Sequence, residues 1–423
     1  MTRFAELAER YGTPLYVYDL DQVVAARDSL FAALPEGFEL FYALKANPHP
    51  DVVGVLREGP GRTCRAEISS TGELHAALAT GHRAQDCLYT GPGKTDAELD
   101  EAIGRGVRLF SVESPSDLRH VGAAAARAGA VAQCLLRVNS PTAHASTGIR
   151  MTGRPSQFGI DGETLADVLP ELIRAPGTRI VGAHFYTMSN ATDEENLLAE
   201  YGHVAELAAG LERDLGLPLD LLDLGGGFAA PYAVPGARTP YPKLRAELAR
   251  ILDRSLPRWR SGSPRLACES GRYLVAESGY LVSRVVNIKV GRGSRFVVLD
   301  AGINALGGLS GLGRLLPVAV TLDRPEQATE AEQAAEAEQA TEPGTLAGPL
   351  CTPGDTLGRN VDLPPLHVGD LVTIPNVGAY GLTASLLAFL GRPAPGEVTV
   401  RGGEVVSASR LEHRRTYLAA VGR

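Results

Sequence analysis

From about residue 38 to residue 267, short apolar runs alternate with longer amphipathic stretches. "FELFYAL" precedes "HPDVVGVLREG", "GVRLFSVES" precedes "PSDLRHVGAAAARAG", and "TRIVGAHFYTMS" precedes "EENLLAEYGHVAELAAGLERDL". "AQCLLRVNS", "LDLLDLGGGF" and "RLACESGRYL" add further runs of the first kind. Short apolar runs bounded by turn residues read as buried strands, and the stretches between them as helices. Repeated βα units predict a parallel sheet with helices on its faces. Their number and total length favour a (β/α)8 barrel over an open sheet, two folds that periodicity alone does not separate.

After residue 268 the pattern changes to "YLVSRVVNIKV", "SRFVVLD", "LLPVAVTL", "DLVTIP" and "GEVTVRGGEVV", short β-rich runs between glycine and proline turns. These predict an antiparallel β domain. The N-terminal "TPLYVYDL" also reads as a strand and is expected to join it, making the domain discontinuous. The expected division is a barrel over 29–267 and a β domain over 1–28 and 268–423. Residues 325–345, "PEQATEAEQAAEAEQATEPGT", have no apolar stripe and read as a solvated insert with no catalytic part.

Composition narrows the function without naming it. The 423 residues suffice for two domains, and 44% hydrophobic with 21% charged residues is ordinary for a globular protein. A net charge of −8 argues against nucleic acid or an anionic membrane as partner. There is no basic-then-apolar leader and no long uncharged apolar run. The five cysteines, Cys64, Cys87, Cys134, Cys268 and Cys351, lack metal-site spacing; they suit a reducing cytoplasm and leave room for one functional thiol.

The candidate chemistry begins at "FYALKANPHP", where Lys45 follows a buried strand that Asn47-Pro48 stops. An ammonium near an interior is costly unless paired or deprotonated. A snorkelling lysine is the commoner case; the sharper reading is a lysine holding a carbonyl cofactor as a Schiff base. Further along, "HFYTMS" supplies His184 and Thr187, "DLGGGF" supplies Gly225, Gly226 and Gly227, "ESGR" supplies Glu269 and Arg272, and "VGAY" supplies Tyr380. Each is weak alone, since a triple glycine is usually a turn and a strand-end histidine usually structural.

Taken in order, "YALKAN", "SSTGEL", "LDLGGGF", "ESGR", "GPLCTPGD" and "GAYG" resemble the motifs of the fold-type III pyridoxal-phosphate decarboxylases, the diaminopimelate, ornithine and arginine decarboxylase-like enzymes. The resemblance covers nearly the whole chain except the insert. It implies a TIM barrel of the alanine racemase type, a C-terminal antiparallel β-barrel domain, and pyridoxal 5'-phosphate as cofactor. It further implies that Lys45 holds the cofactor aldehyde, with a neutral amine favoured by desolvation. Glu269 would keep the pyridine nitrogen protonated. Arg272, the Gly225–Gly227 amides and Tyr380 would bind the phosphate, to which bare glycine backbone can converge. His184 would stack on the ring, and Glu67 and Thr187 would line the pocket. The family is a homodimer in which Cys351 reaches the partner's site. There Cys351 is expected to donate a proton after CO2 leaves. Asp355, with Tyr380, is expected to hold the substrate. Most free cysteines are structural, and that is the plainer reading of Cys351.

Glu269 favours decarboxylation over racemisation, because racemases of this fold place an arginine at the ring nitrogen. A non-catalytic cofactor-binding protein would lack the β domain. Substrate choice is less determined. Thr352 stands where diaminopimelate decarboxylases carry Glu, "HFYTMS" stands for "HIGSQ", and "DAGINALGGLSGLGRLLP" lacks the usual Arg-Pro-x-Leu-Tyr stretch. Each lost contact to a polar substrate end costs about 1–3 kcal/mol. With Arg314 as the one nearby cation, the pattern suits a modified or carrier-tethered amino acid of specialised metabolism. A genuine diaminopimelate decarboxylase of lysine biosynthesis is the alternative.

Overall fold

The computed structural model describes residues 3–59, 61–140, 149–150, 155–307, 321–322 and 341–416. Arg314 and most of the Glu/Gln-rich insert lie outside these. The chain divides into two compact units: Gln22–Ala230 with Ala237–Val275, and Met1–Asp21 with Pro231–Gly236 and Ala276–Arg423. The change of texture at residue 268 marks the boundary early. The last strand of the first unit runs on to Ser270, and the short helix Arg272–Val275 follows within the same unit.

The first unit is a closed barrel of eight strands: β1 Glu39–Ala43, β2 Arg65–Ile68, β3 Cys87–Tyr89, β4 Leu109–Val112, β5 Ala132–Asn139, β6 Thr178–His184, β7 Leu221–Asp223 and β8 Arg265–Ser270. Each pairs in parallel with the next, and β8 pairs in parallel with β1, which closes the ring. Parallel neighbours require a crossover, and helices such as Pro50–Arg57, Thr71–Ala79, Asp96–Gly104 and Pro115–Arg127 provide it. Their starts are written locally. Ser70 and Ser114 accept the N–H groups of Glu73 and Asp117, and Thr95 with Glu98 forms a reciprocal capping box. Because all eight strands run parallel, their C-terminal tips share one end of the barrel, its mouth.

Beneath the mouth, Phe41, Leu88, Leu109, Leu135, Val181, Leu221 and Ala267 form one apolar cluster, drawn from seven of the eight strands. Full burial of a large apolar side chain stabilises by about 1.5–3 kcal/mol. This layer fills the lumen and seals the mouth from below.

The second unit is a nine-stranded sheet whose main path runs Thr356–Leu363, Glu342–Ala347, Ser294–Leu299, Gly279–Gly291, Leu15–Asp19, Gly396–Arg401, Glu404–Arg410. It is mixed, not antiparallel throughout: Leu15–Asp19 runs parallel to Gly396–Arg401, and Ser294–Leu299 parallel to Glu342–Ala347. Both parallel pairs join segments distant in sequence, which hairpin signals between neighbouring runs do not report. The insert also ends earlier than its composition implies. Residues 342–345 belong to a strand that pairs antiparallel with Thr356–Leu363, held by backbone bonds that need no apolar pattern.

Candidate active site at the barrel mouth

Lys45 sits in a short 3-10 turn, Leu44–Ala46, immediately after β1. The turn is fixed by the Tyr42 hydroxyl, which donates to the Asn47 carbonyl at 2.7 Å, and by Asn47 Oδ1, which accepts the His49 N–H at 3.0 Å. Lys45 Nζ lies 3.0 and 3.3 Å from the two oxygens of Glu67. Glu67 Oε1 also accepts the Thr90 hydroxyl at 2.6 Å. The Lys45 side chain is 43% exposed while that of Glu67 is 2% exposed. The amine is therefore half-exposed beside a buried carboxylate, and not desolvated as expected.

Across the mouth lie three buried acid–base groups. His184 ends β6 and Asp223 ends β7, opposite each other in register, and Glu269 comes from β8. One atom of each lies within 4.8 Å of the others. His184 Nε2, Asp223 Oδ2 and Glu269 Oε1 are all buried without a hydrogen-bond partner. Burial, aided by Arg137, Lys45 and Lys94, lowers the His184 pKa well below its usual value, so the ring is neutral. Its 3.4 Å approach to Glu269 is then a neutral contact and not an ion pair. Ser111 meets His184 Nδ1 at 2.7 Å and fixes the ring.

Burial raises the Glu269 pKa well above the carboxylate range, with Glu67 and Asp223 adding to it and Lys45 and Arg137 opposing it. Burial likewise lifts Asp223 to about 7, against the pull of the Gly225 N–H. Such a cluster of unpartnered buried groups is a recognition surface for a ligand with an N–H to give.

The glycine loop follows β7 directly. Gly225 has φ +76°, and a Cβ there would fall 2.1 Å from the Phe185 carbonyl oxygen. The loop is stitched to its neighbours: the Glu269 N–H donates to the Gly225 carbonyl at 2.9 Å, the Tyr201 hydroxyl to the Gly226 carbonyl at 2.8 Å, and the Ala191 N–H to the Gly227 carbonyl at 2.7 Å. Its carbonyls are thus tied down, and bare backbone is held beside the acid cluster. Thr187 is buried just beyond β6, and Arg272 opens the helix after β8, half-buried.

Arg137 was not among the sequence candidates, nor were Asp223, Ser111 and Tyr186. Arg137, on β5, pairs with Glu113 at 3.1 Å and lies over the rings of Phe158 and Tyr186 at 4.7 and 5.5 Å. The Tyr186 ring also faces Lys45 Nζ at 5.9 Å. The signal for Arg137 and Asp223 was present: each is a charged residue inside an apolar strand, the feature that singles out Lys45.

The remaining sequence candidates lie in the β unit. Cys351 is exposed in the loop between Glu342–Ala347 and Thr356–Leu363. Tyr380 is half-buried at φ 52°, its carbonyl accepting the Tyr232 hydroxyl at 3.1 Å. Asp355 differs from expectation. It is 3% exposed, and its two oxygens accept the N–H groups of Ile303 at 2.8 Å and Leu350 at 2.6 Å. A carboxylate with both oxygens taken up by backbone N–H groups is placed to clamp its loop, and less of it is left for the substrate-binding role expected of Asp355.

A parallel barrel with a lysine at one strand tip, unpartnered acids at others and a glycine loop beside them is the architecture of an enzyme built round a lysine-bound carbonyl cofactor. The profile of the family described as "Pyridoxal-dependent decarboxylase, pyridoxal binding domain" matches residues 20–276. The chain belongs to this family. It is 31% identical over 399 residues to the "L-glutamyl-[BtrI acyl-carrier protein] decarboxylase" of Niallia circulans, covering 94% of this chain and 91% of that one. It is 30% identical over 415 residues to the diaminopimelate decarboxylase of Methanothermobacter thermautotrophicus, covering 95% and 89%. The solved diaminopimelate decarboxylase of Helicobacter pylori, complexed with L-lysine, superposes with a TM-score of 0.78 at 26% identity and 94% coverage of each chain. The protein is a pyridoxal-phosphate-dependent amino-acid decarboxylase.

Proposed function

We propose that this enzyme removes the α-carboxylate of an amino acid whose far end is derivatised, with a carrier-tethered amino acid as the substrate class that fits best. The cofactor, when bound, supplies an electron sink for the carbanion left by CO2. The residues present suit it. Lys45 would hold its aldehyde, with Glu67 beside the amine to take up and return a proton. Glu269 would meet the ring nitrogen, and neutral His184 would lie against the ring. The Gly225–Gly227 backbone with Arg272 and Tyr380 would hold the phosphate, and Thr187 would close the pocket wall. The observation that carries the decarboxylase reading is the unpartnered Glu269 oxygen in the buried cluster: an acid there keeps the ring cationic.

The substrate class rests on Thr352, which follows Cys351 where an acidic residue would grip a free ammonium, and on the carrier-dependent relative. Diaminopimelate itself is the second reading, supported by the relatives of that name. We further propose a cytoplasmic homodimer whose exposed Cys351 serves the partner's site as proton donor. Unpaired thiols and the absence, among the described residues, of a helix able to cross a membrane agree with that setting. A mass-spectrometric screen over diaminopimelate, ornithine, lysine, arginine, glutamate and a glutamyl-carrier protein tests the substrate. Turnover of the carrier-bound amino acid is expected; efficient formation of lysine from diaminopimelate would favour the second reading.

A further inference from the structure

Asp223 is as buried as any group in the protein, and the pyridine-binding role given to Glu269 leaves it unexplained. One of its oxygens accepts the Gly225 N–H at 2.9 Å; the other has no partner and converges with the free atoms of Glu269 and His184. A carboxylate kept only to shape the glycine loop would need the first contact and not the second.

The groups round it set its charge. Glu269 and Cys268 face it from β8, His184 from β6, Glu67 from β2 and Glu39 from β1, while Arg137 on β5 is the opposing cation. Tyr201 approaches from the helix Glu194–Leu215. His184 is neutral, so the cations nearest the two acids are Arg137 and the Lys45 already paired with Glu67. Two buried carboxylates this close do not both ionise in an apolar wall.

We propose that Asp223 and Glu269 act as a pair at the cofactor nitrogen, sharing one proton in the cofactor-free enzyme at mildly alkaline pH and passing it to that nitrogen on binding. The transfer balances: an O–H bond breaks, an N–H bond forms, and a pair of charge −1 with a neutral ring becomes two carboxylates flanking a pyridinium. Asp223 would then add a second carboxylate to hold that cation. The inference rests on the placement of Glu269 proposed above.

The sign of the pH effect follows. With the Asp223 pKa lifted to about 7 from an unfolded value of about 3.9, its contribution to stability is fullest below pH 4. It is lost as pH rises through 7. Apoenzyme carrying Asp223→Asn should therefore match the wild type more closely at pH 5.5 and exceed it at pH 8.5, by about 2 °C or more in Tm. Its pyridoxal-phosphate dissociation constant should rise about tenfold, the worth of one charge-assisted hydrogen bond. Equal Tm changes at both pH values, or unchanged cofactor affinity, would overturn the proposal and leave Asp223 as a loop clamp. If Asp223→Asn fails to fold, Glu269→Gln carries the test: the loss of apoenzyme stability between pH 5.5 and 8.5 should shrink there, and its persistence overturns the pair. Borohydride trapping separates the two readings. An enzyme with no cofactor on Lys45 refutes the functional reading, whereas a loaded Lys45 with no pH signature refutes only the pair.

Discussion

Two aspartates, one ending β7 in the barrel and one in the loop 348–355 of the β unit, have little exposed surface, and burial raises the pKa of both. Asp355 has both oxygens engaged by backbone N–H groups, and the chain has made room for it. A Cβ at Gly302 would fall 2.2 Å from its Oδ1, and one at Gly348 would fall 2.4 Å from its Oδ2. Asp223 has one oxygen engaged and one open toward two other open groups. Both side chains are nearly closed to solvent, and they differ in where compensation for that burial comes from. For Asp355 it is inside the fold, in the N–H groups of Ile303 and Leu350. For Asp223 part of it is missing from the fold, which is the mark of a site awaiting a ligand.

The largest effect expected from this contrast is on turnover. Lys45→Ala and Cys351→Ala should each be inactive, the second by on the order of 10²–10⁴-fold as for loss of a general acid. Mixed together they should regain part of the activity, because a hybrid dimer would contain one intact pair of Lys45 and Cys351. Activity that stays absent while native mass spectrometry shows hybrids would mean that Cys351 serves its own chain or no reaction at all. Next in size is a stability effect. Asp355→Ala strands the buried Leu350 N–H, at about 1–3 kcal/mol, and the part-buried Ile303 N–H, at less. Its denaturation midpoint should drop while pyridoxal-phosphate affinity at Lys45 holds. Loss of affinity with unchanged stability would reverse the roles assigned to the two aspartates.

The alternation of apolar runs and amphipathic stretches carried the barrel, because each strand there is buried on both faces and each crossover helix has one apolar side. The β unit was less legible: its parallel pairs join Leu15–Asp19 to Gly396–Arg401 across most of the chain, and no local pattern encodes such a partner. Within the candidate site, Lys45, His184, Glu269 and the glycines stand out in the sequence because they lie in short distinctive motifs. Asp223 was overlooked although it adjoins Gly225–Gly227 by one residue, since glycines draw attention to backbone and not to the acid before them. Asp355 is the converse case. Its motif suggested a side chain offered to a substrate, and only the three-dimensional path of Ile303 and Leu350 reveals the N–H groups it serves.

The proposed reason that this barrel decarboxylates is an acid at the ring nitrogen. It is tested most directly by Glu269→Arg, with CO2 release measured per cofactor trapped on Lys45 by borohydride. Replacing the acid with a cation should leave Lys45 loaded while CO2 released per bound cofactor falls on the order of 10²-fold or more, the scale seen when a preorganised electrostatic partner of the reacting group is removed. Undiminished CO2 release from a fully loaded variant would contradict the account.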